Sequence, residues 1–241
     1  MSGYQADLAY IHDTGFGDFA REAAPGLLQI LRRAGIAEGL VVDLGCGSGI
    51  WAADLLAAGY DVLGIDQSGA MIDLARRRAP GARFVQDSLL QAPLPKCRAV
   101  TSISECMNYL FDDSNSLKRL AALMRRVHHA LEPGGVFVFD IAEHGLEPER
   151  RRGHWQGEGW VVMLDAEEDP ETHIVTRDIT TFRRAGKLWR RTDEQHRLRT
   201  FDRSEIYEEL GRAGFHVKLL RGYGDATFPR AHAGYLARKP V

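Results

Sequence analysis

The sequence has little that would tie it to a membrane, an oxidising compartment or a polyanion. No run approaches the apolar length of a membrane span. The amino-terminal stretch MSGYQADLAYIHD lacks the charged-then-apolar order of a secretory signal, so the cytoplasm is the expected compartment. Cysteine is scarce: Cys46, Cys97 and Cys106 are scattered, with no CxxC pair, which argues against a disulfide framework or a zinc site. The nine histidines are also dispersed, and no metal ligand set is expected from them. A large excess of either charge is missing too. Lys and Arg number 31 against 33 Asp and Glu, a formal net charge of -2, which gives no overall reason to expect nucleic acid as a partner. The basic runs Arg76-Arg77-Arg78 and Arg150-Arg151-Arg152 stand beside acidic residues and read as solvated faces.

What is present is the material of an ordinary globular chain, 241 residues of which 44% are hydrophobic. The stretch to about residue 38 reads as helical, with Pro25 at a helix start and an apolar stripe of Leu27, Leu28, Ile30 and Leu31. Short apolar runs follow at Val41–Leu44, Val62–Ile65, Phe84–Val85, Val100–Ile103 and Val136–Phe139. Helical periods separate them, at about 50–58, 68–78 with Ser68 as N-cap, and 116–131. Repeated strand–helix–strand units imply an α/β fold with a mostly parallel sheet flanked by helices. After the fifth strand three β-rich runs come in succession, at 160–164, 173–182 and 188–201, an antiparallel meander. A helix at about 204–211 and strands at 215–220 and 232–238 then return to the first sheet, so the meander reads as an insertion, 155–201, within one domain, 1–241.

The most informative segment is Val41-Val42-Asp43-Leu44-Gly45-Cys46-Gly47-Ser48-Gly49, an apolar strand running into a loop with alternate glycines and then a helix. Glycine there allows a sharp turn and a close approach of backbone to ligand. The next strand ends at Asp66, about 20 residues on, where an acid can accept hydrogen bonds from both ribose hydroxyls of an adenosine ligand. A dinucleotide fingerprint would space its glycines as GxGxxG. Here the spacing differs, and Asp43 would repel a pyrophosphate while suiting a ligand with an ammonium group.

These residues resemble the first motif of the class I S-adenosylmethionine-dependent methyltransferases, and the resemblance extends over most of the chain. Asp66-Gln67-Ser68, Gln86-Asp87-Ser88, the turn Leu131–Gly135 before Val136–Phe139, and Tyr235–Pro240 are similar to the family's later motifs in order. The resemblance implies a Rossmann-like sheet and S-adenosyl-L-methionine as cofactor. By it, Asp43, Gly45, Cys46 and Gly47 surround the methionine end, Asp66 with Gln67 the ribose, and Asp87 with Ser88 the adenine. Residues 1–38 would form a helical lid whose aromatic side chains Tyr4, Tyr10, Phe16 and Phe19 contact the cofactor, with Arg21 on its carboxylate.

Methyl transfer needs alignment and exclusion of water more than a metal or a nucleophile. Acceptor residues are therefore expected where strand four ends, at Ser104-Glu105-Cys106-Met107-Asn108-Tyr109. Glu105 would orient a protonated amine or receive its proton, Asn108 or Tyr109 would hydrogen-bond the acceptor, and His196 in the meander is a candidate base. The expected partner is a small-molecule acceptor, with no nucleic acid or membrane, and the chain a monomer or homodimer. A nicotinamide oxidoreductase and a non-catalytic S-adenosylmethionine-binding protein are the alternatives.

Overall fold

A computed structural model of the chain describes residues 3–147 and 149–241. Two amino-terminal helices, α1 (Ala6–Gly15) and α2 (Asp18–Arg33), lead into five parallel strands interleaved with three helices: β1 (Leu40–Leu44), α3 (Ile50–Ala57), β2 (Asp61–Asp66), α4 (Gly69–Arg78), β3 (Arg83–Gln86), β4 (Cys97–Ser102), α5 (Leu117–Ala130) and β5 (Leu131–Ala142). A meander follows, β6 (Arg151–Gly157), β7 (Trp160–Asp169), β8 (Ile174–Ala185) and β9 (Leu188–Arg199). The chain closes with α6 (Arg203–Arg212), β10 (His216–Leu220), the short hairpin β11 (Gly222–Tyr223) and β12 (Ala226–Thr227), and β13 (His232–Arg238). The main sheet runs β10-β13-β5-β4-β1-β2-β3, with β13 antiparallel to its neighbours, and the meander forms a separate four-stranded sheet.

Each face of the main sheet carries its own apolar layer. Val42, Leu44, Val100, Phe137 and Phe139 pack under α5 and α6, while Val41, Val62, Val136 and Val138 pack with Trp51, Leu27 and Leu31 of the other helices. Truncating one of these leucines to alanine costs roughly 2–5 kcal/mol. A third, smaller cluster of Leu8, Ile11, Trp160, Val162 and Ile179 joins α1 to the meander. Charge reinforces that contact, because Asp7 accepts from Arg183 at 3.1 Å and from Arg190. On its other flank α1 is tied to α4 through Asp13 and Arg78, 2.7 Å apart, and Arg78 also reaches Ser48 of the glycine loop. So one member of the basic run at 76–78 is a structural clamp and not a solvated charge.

Two local expectations fail. Pro25 lies inside α2, which begins two turns earlier at Asp18. The helix tolerates the hydrogen bond lost at Pro25 because Ala23, Ala24 and Leu27 are buried around it and Gly26 sits directly on the backbone of Tyr223, where a Cβ would come within 2.2 Å. The insertion also starts at Arg151, with four strands and not three. Strand β6, RRGHWQG, is an edge strand with nearly every residue exposed, so pairing with β7 specifies it without any apolar alternation.

Candidate active site

Strand β1 ends in a loop whose three glycines, Gly45, Gly47 and Gly49, all have left-handed backbone, at φ of 74°, 51° and 76°. A Cβ on Gly45 would lie 2.6 Å from Cys106 Sγ, whereas one on Gly47 would meet no protein atom and project into free space. That space is a cavity of about 500 Å³. Asp66, at the end of β2, is fixed from two sides: Gly47 N–H donates to Oδ2 at 2.9 Å and Ser68 N–H to Oδ1 at 2.8 Å. Burial raises its pKa against the pull of these donors. The carboxylate is thus pre-oriented, with lone pairs left for a diol. Asp43 lies deeper, at the end of a chain in which Trp51 Nε1–H donates to Thr101 Oγ1 and Thr101 donates to Asp43 Oδ1 at 2.7 Å. Burial pushes the Asp43 pKa up to about 7, moderated by the Thr101 hydrogen bond and reinforced by Asp66.

The other half of the cavity is made of side chains brought from afar. After β4 the backbone turns through Ser104 and Glu105, both left-handed at φ of 66° and 47°. Two successive non-glycine residues in that region cost of order 1–3 kcal/mol each and persist only when the surroundings hold them. Here the holder is Asp140 at the end of β5, which accepts from Ser104 N–H at 2.9 Å and Glu105 N–H at 2.8 Å, and from the buried Tyr223 hydroxyl at 2.8 Å. Burial raises the Asp140 pKa to about 6 against these donors.

The strained turn presents Glu105 to the cavity between Arg177 and His232. Arg177 Nη1 of β8 donates to Oε1 at 3.1 Å and His232 Nε2 of β13 lies 2.9 Å from Oε2. Burial alone would raise the Glu105 pKa, but the His232 hydrogen bond and the Arg177 charge hold it down at about 2. His232 is shifted up in return: burial lowers it, and the Glu105 contact more than offsets that. Arg177 also approaches the Tyr109 hydroxyl at 3.3 Å, and Tyr109 shares a 3.0 Å hydrogen bond with Tyr4.

The cavity wall therefore contains Asp43, Gly45, Cys46, Gly47, Asp66, Gln67, Ser88, Ser104, Glu105 and Tyr109 of the residues expected from sequence, together with Tyr4, Phe16 and Phe19 of the amino-terminal aromatics. Five others are elsewhere. Asn108 is fully buried, and its amide bonds the backbone of Ala142 and Arg199, so it fastens the turn to β5 and β9. His196 faces a second cavity of about 440 Å³ beneath the meander, with Glu194 Oε2 3.1 Å from its Nε2. Tyr10 lies under the Arg183 guanidinium, 3.8 Å from its ring centre. Arg21 is drawn to Asp18 on its own helix. Asp87 turns its carboxylate back to Ser88 N–H, and the wall at that end is Ser88, Leu89, Phe111 and Asp112. Asp112 gathers Ser88 Oγ, Gln91 Nε2 and Ser114 Oγ, and these hydrogen bonds outweigh burial to hold its carboxyl far below the usual range.

Around the Ser104–Glu105 turn, four residues escaped the sequence: Asp140, Arg177, Tyr223 and His232. Only Asp140 carried a signal, as the polar residue ending the apolar run Val136–Phe139 where a parallel strand opens into a cleft.

Residues 41–135, from β1 to the start of β5, match the methyltransferase domain family. That match, together with the relatives and the fold below, supports a class I S-adenosylmethionine-dependent methyltransferase. Over 118 residues it is 39% identical to trans-aconitate 2-methyltransferase of Paracidovorax citrulli (strain AAC00-1), a match covering 46% of this chain and 42% of the relative. Over 231 residues it is 26% identical to dTDP-3-amino-3,4,6-trideoxy-alpha-D-glucopyranose N,N-dimethyltransferase of Streptomyces venezuelae, covering 91% of this chain and 94% of that one. Its fold superposes on a crystal structure of an S-adenosylmethionine-dependent methyltransferase from Clostridium acetobutylicum ATCC 824 with a TM-score of 0.82, at 18% identity and 98% coverage of each chain. The methyltransferase reading displaces the nicotinamide alternative. The glycine loop fits the cofactor physically as well: Gly47 leaves the room a Cβ would fill, and Asp66 offers a fixed carboxylate. No helix among the described residues of this methyltransferase is long and apolar enough to cross a membrane.

Proposed function

We propose that this methyltransferase acts on a nitrogen or oxygen of a compact small molecule seated between the glycine loop and the antiparallel sheet. The observation that carries the reading is the continuity of one cavity, whose wall runs from Gly45, Gly47 and Asp66 to Glu105, Tyr109, Arg177 and His232. When bound, S-adenosylmethionine supplies a methyl group made electrophilic by a sulfonium sulfur. Gly45, Gly47 and Asp43 would hold its methionine end, Asp66 and Gln67 its ribose, and Ser88 its adenine. Residues 3–33, which pack over the cleft as α1 and α2, serve as the lid that excludes water.

Glu105 is the electrostatic anchor of the acceptor end. A carboxyl held near 2 remains ionised at neutral pH and is a weak proton acceptor, so its use is to orient a cationic or hydrogen-bonding group together with Arg177 and Tyr109. This favours the orienting role over the proton-accepting one. The relatives agree with a small acceptor, one being named for an amino sugar and the other for trans-aconitate. Incubation with methyl-labelled S-adenosylmethionine and small-molecule fractions, amino sugars and polycarboxylic acids among them, tests the reading. Label should enter one small-molecule class. Retained binding of S-adenosylhomocysteine with no labelled small molecule in any fraction would overturn it.

A further inference from the structure

The antiparallel sheet meets the core where three chain segments converge: the connection leaving β5, the end of β7 with its turn into β8, and the end of β9. Phe201 N–H donates to Ala142 O and Thr200 N–H to His173 O across this junction. His144, Glu168 and His173 each direct a ligand atom inward there, and the three atoms lie within 4.8 Å of one another. The two imidazole rings are 3.8 Å apart between centroids.

Their placement is enforced. His173 has left-handed backbone at φ 54°, a conformation worth about 1–2 kcal/mol against a non-glycine residue, and is held by hydrogen bonds to Asp169 and Thr200. Glu168 accepts from Gly145 N–H at 3.2 Å, Glu147 N–H at 3.1 Å and Thr200 Oγ1 at 3.1 Å. Thr200 Oγ1 also lies 3.2 Å from His144 Nδ1, so one hydroxyl fixes two of the three groups, as outer partners do around ligated metals. Among the described residues no Lys or Arg forms an ion pair with the half-buried Glu168. A carboxylate without a cation, facing two imidazoles, has the chemistry of a divalent-ion site.

We propose that His144, Glu168 and His173 bind a divalent transition-metal ion, apart from the cofactor cleft, that staples the root of the antiparallel sheet to the core. Two imidazoles and one carboxylate suit zinc, with a fourth position for water. Because His173 precedes β8 and Arg177 lies four residues on, the ion would fix the strand that delivers Arg177 to Glu105.

The test is calorimetric titration of the full chain, stripped with chelator, by Zn²⁺ alone, with the visible spectrum of Co²⁺ reporting coordination. One ion should bind per chain, and His144→Ala and His173→Asn should each weaken it by about tenfold or more. Asparagine tolerates the left-handed backbone, which keeps the turn intact. Zn²⁺ should raise the melting temperature of the parent and of a His154→Ala control on exposed β6, but not of the two site variants. If His173→Asn melts early in chelator, His144→Ala alone decides. Absence of saturable binding, or affinity unchanged in His144→Ala, would overturn the site.

Discussion

The two ends of the cleft are built by different means. Around Gly45 the protein uses backbone: left-handed glycines and N–H groups that aim one carboxylate, all within residues 43–68. Around Glu105 it uses side chains: an anion flanked by Arg177 and His232, the latter 127 residues away in sequence. The first end can lose little without losing the loop itself. The second is a set of replaceable side chains from separate strands gathered on one strained turn, so on the proposed reading it is where acceptor preference can change while cofactor binding stays.

If that contrast is right, substitutions at the two ends should separate the two functions. The largest effect is expected from Glu105→Gln, which removes the charge on which Arg177 and His232 converge. Turnover should fall by about a hundredfold, the cost of a misplaced acceptor, while calorimetry shows cofactor affinity nearly unchanged. Equal loss of both constants would collapse the distinction. Next is Asp66→Ala, expected to weaken S-adenosylmethionine by roughly 1.5–3 kcal/mol, the range of charge-assisted hydrogen bonds, and an unchanged dissociation constant would take Asp66 out of the site.

The third effect is in pH. With the Asp43 pKa raised to about 7 in the free protein, a bound ammonium group would favour the ionised form, so binding releases a proton below that pH. Affinity should therefore weaken as pH falls below 7, by up to roughly tenfold per unit, and level off above it. Calorimetry at pH 6 and 7.5 in buffers of different ionisation enthalpy measures both the change and the released proton. The smallest effect belongs to Asp87→Asn, which alters a carboxylate facing Ser88 N–H and outside the cavity wall. Cofactor affinity should change by less than about 0.5 kcal/mol, as for surface substitutions. A tenfold loss would return Asp87 to the adenine end.

The same contrast explains what could be read from sequence. The glycine loop and Asp66 were legible because a local motif encodes a local geometry, and the alternation of strands and helices was legible because each buries a periodic face. Arg177 was not, because on β8 it is one arginine among several and only the register opposite His196 and the packing on Tyr109 distinguish it. His232 was hidden likewise in a closing strand. Asn108 and His196 misled for the converse reason: one was chosen for its place after strand four and the other for its titratable ring, and both are buried with partners of their own.

Tyr223 gives the acceptor end an unexpected dependence on the beginning of the chain. Its backbone rests on Gly26 of α2 and its ring lies beside Phe19, while its hydroxyl completes the hold of Asp140 on the Ser104–Glu105 turn. A shortened form begun at β1, the kind of trimming used to improve expression or crystallisation, would keep every glycine of the loop. It would nevertheless leave Tyr223 without its floor, and such a fragment should fail as an enzyme at the turn that carries Glu105 before it fails as a fold.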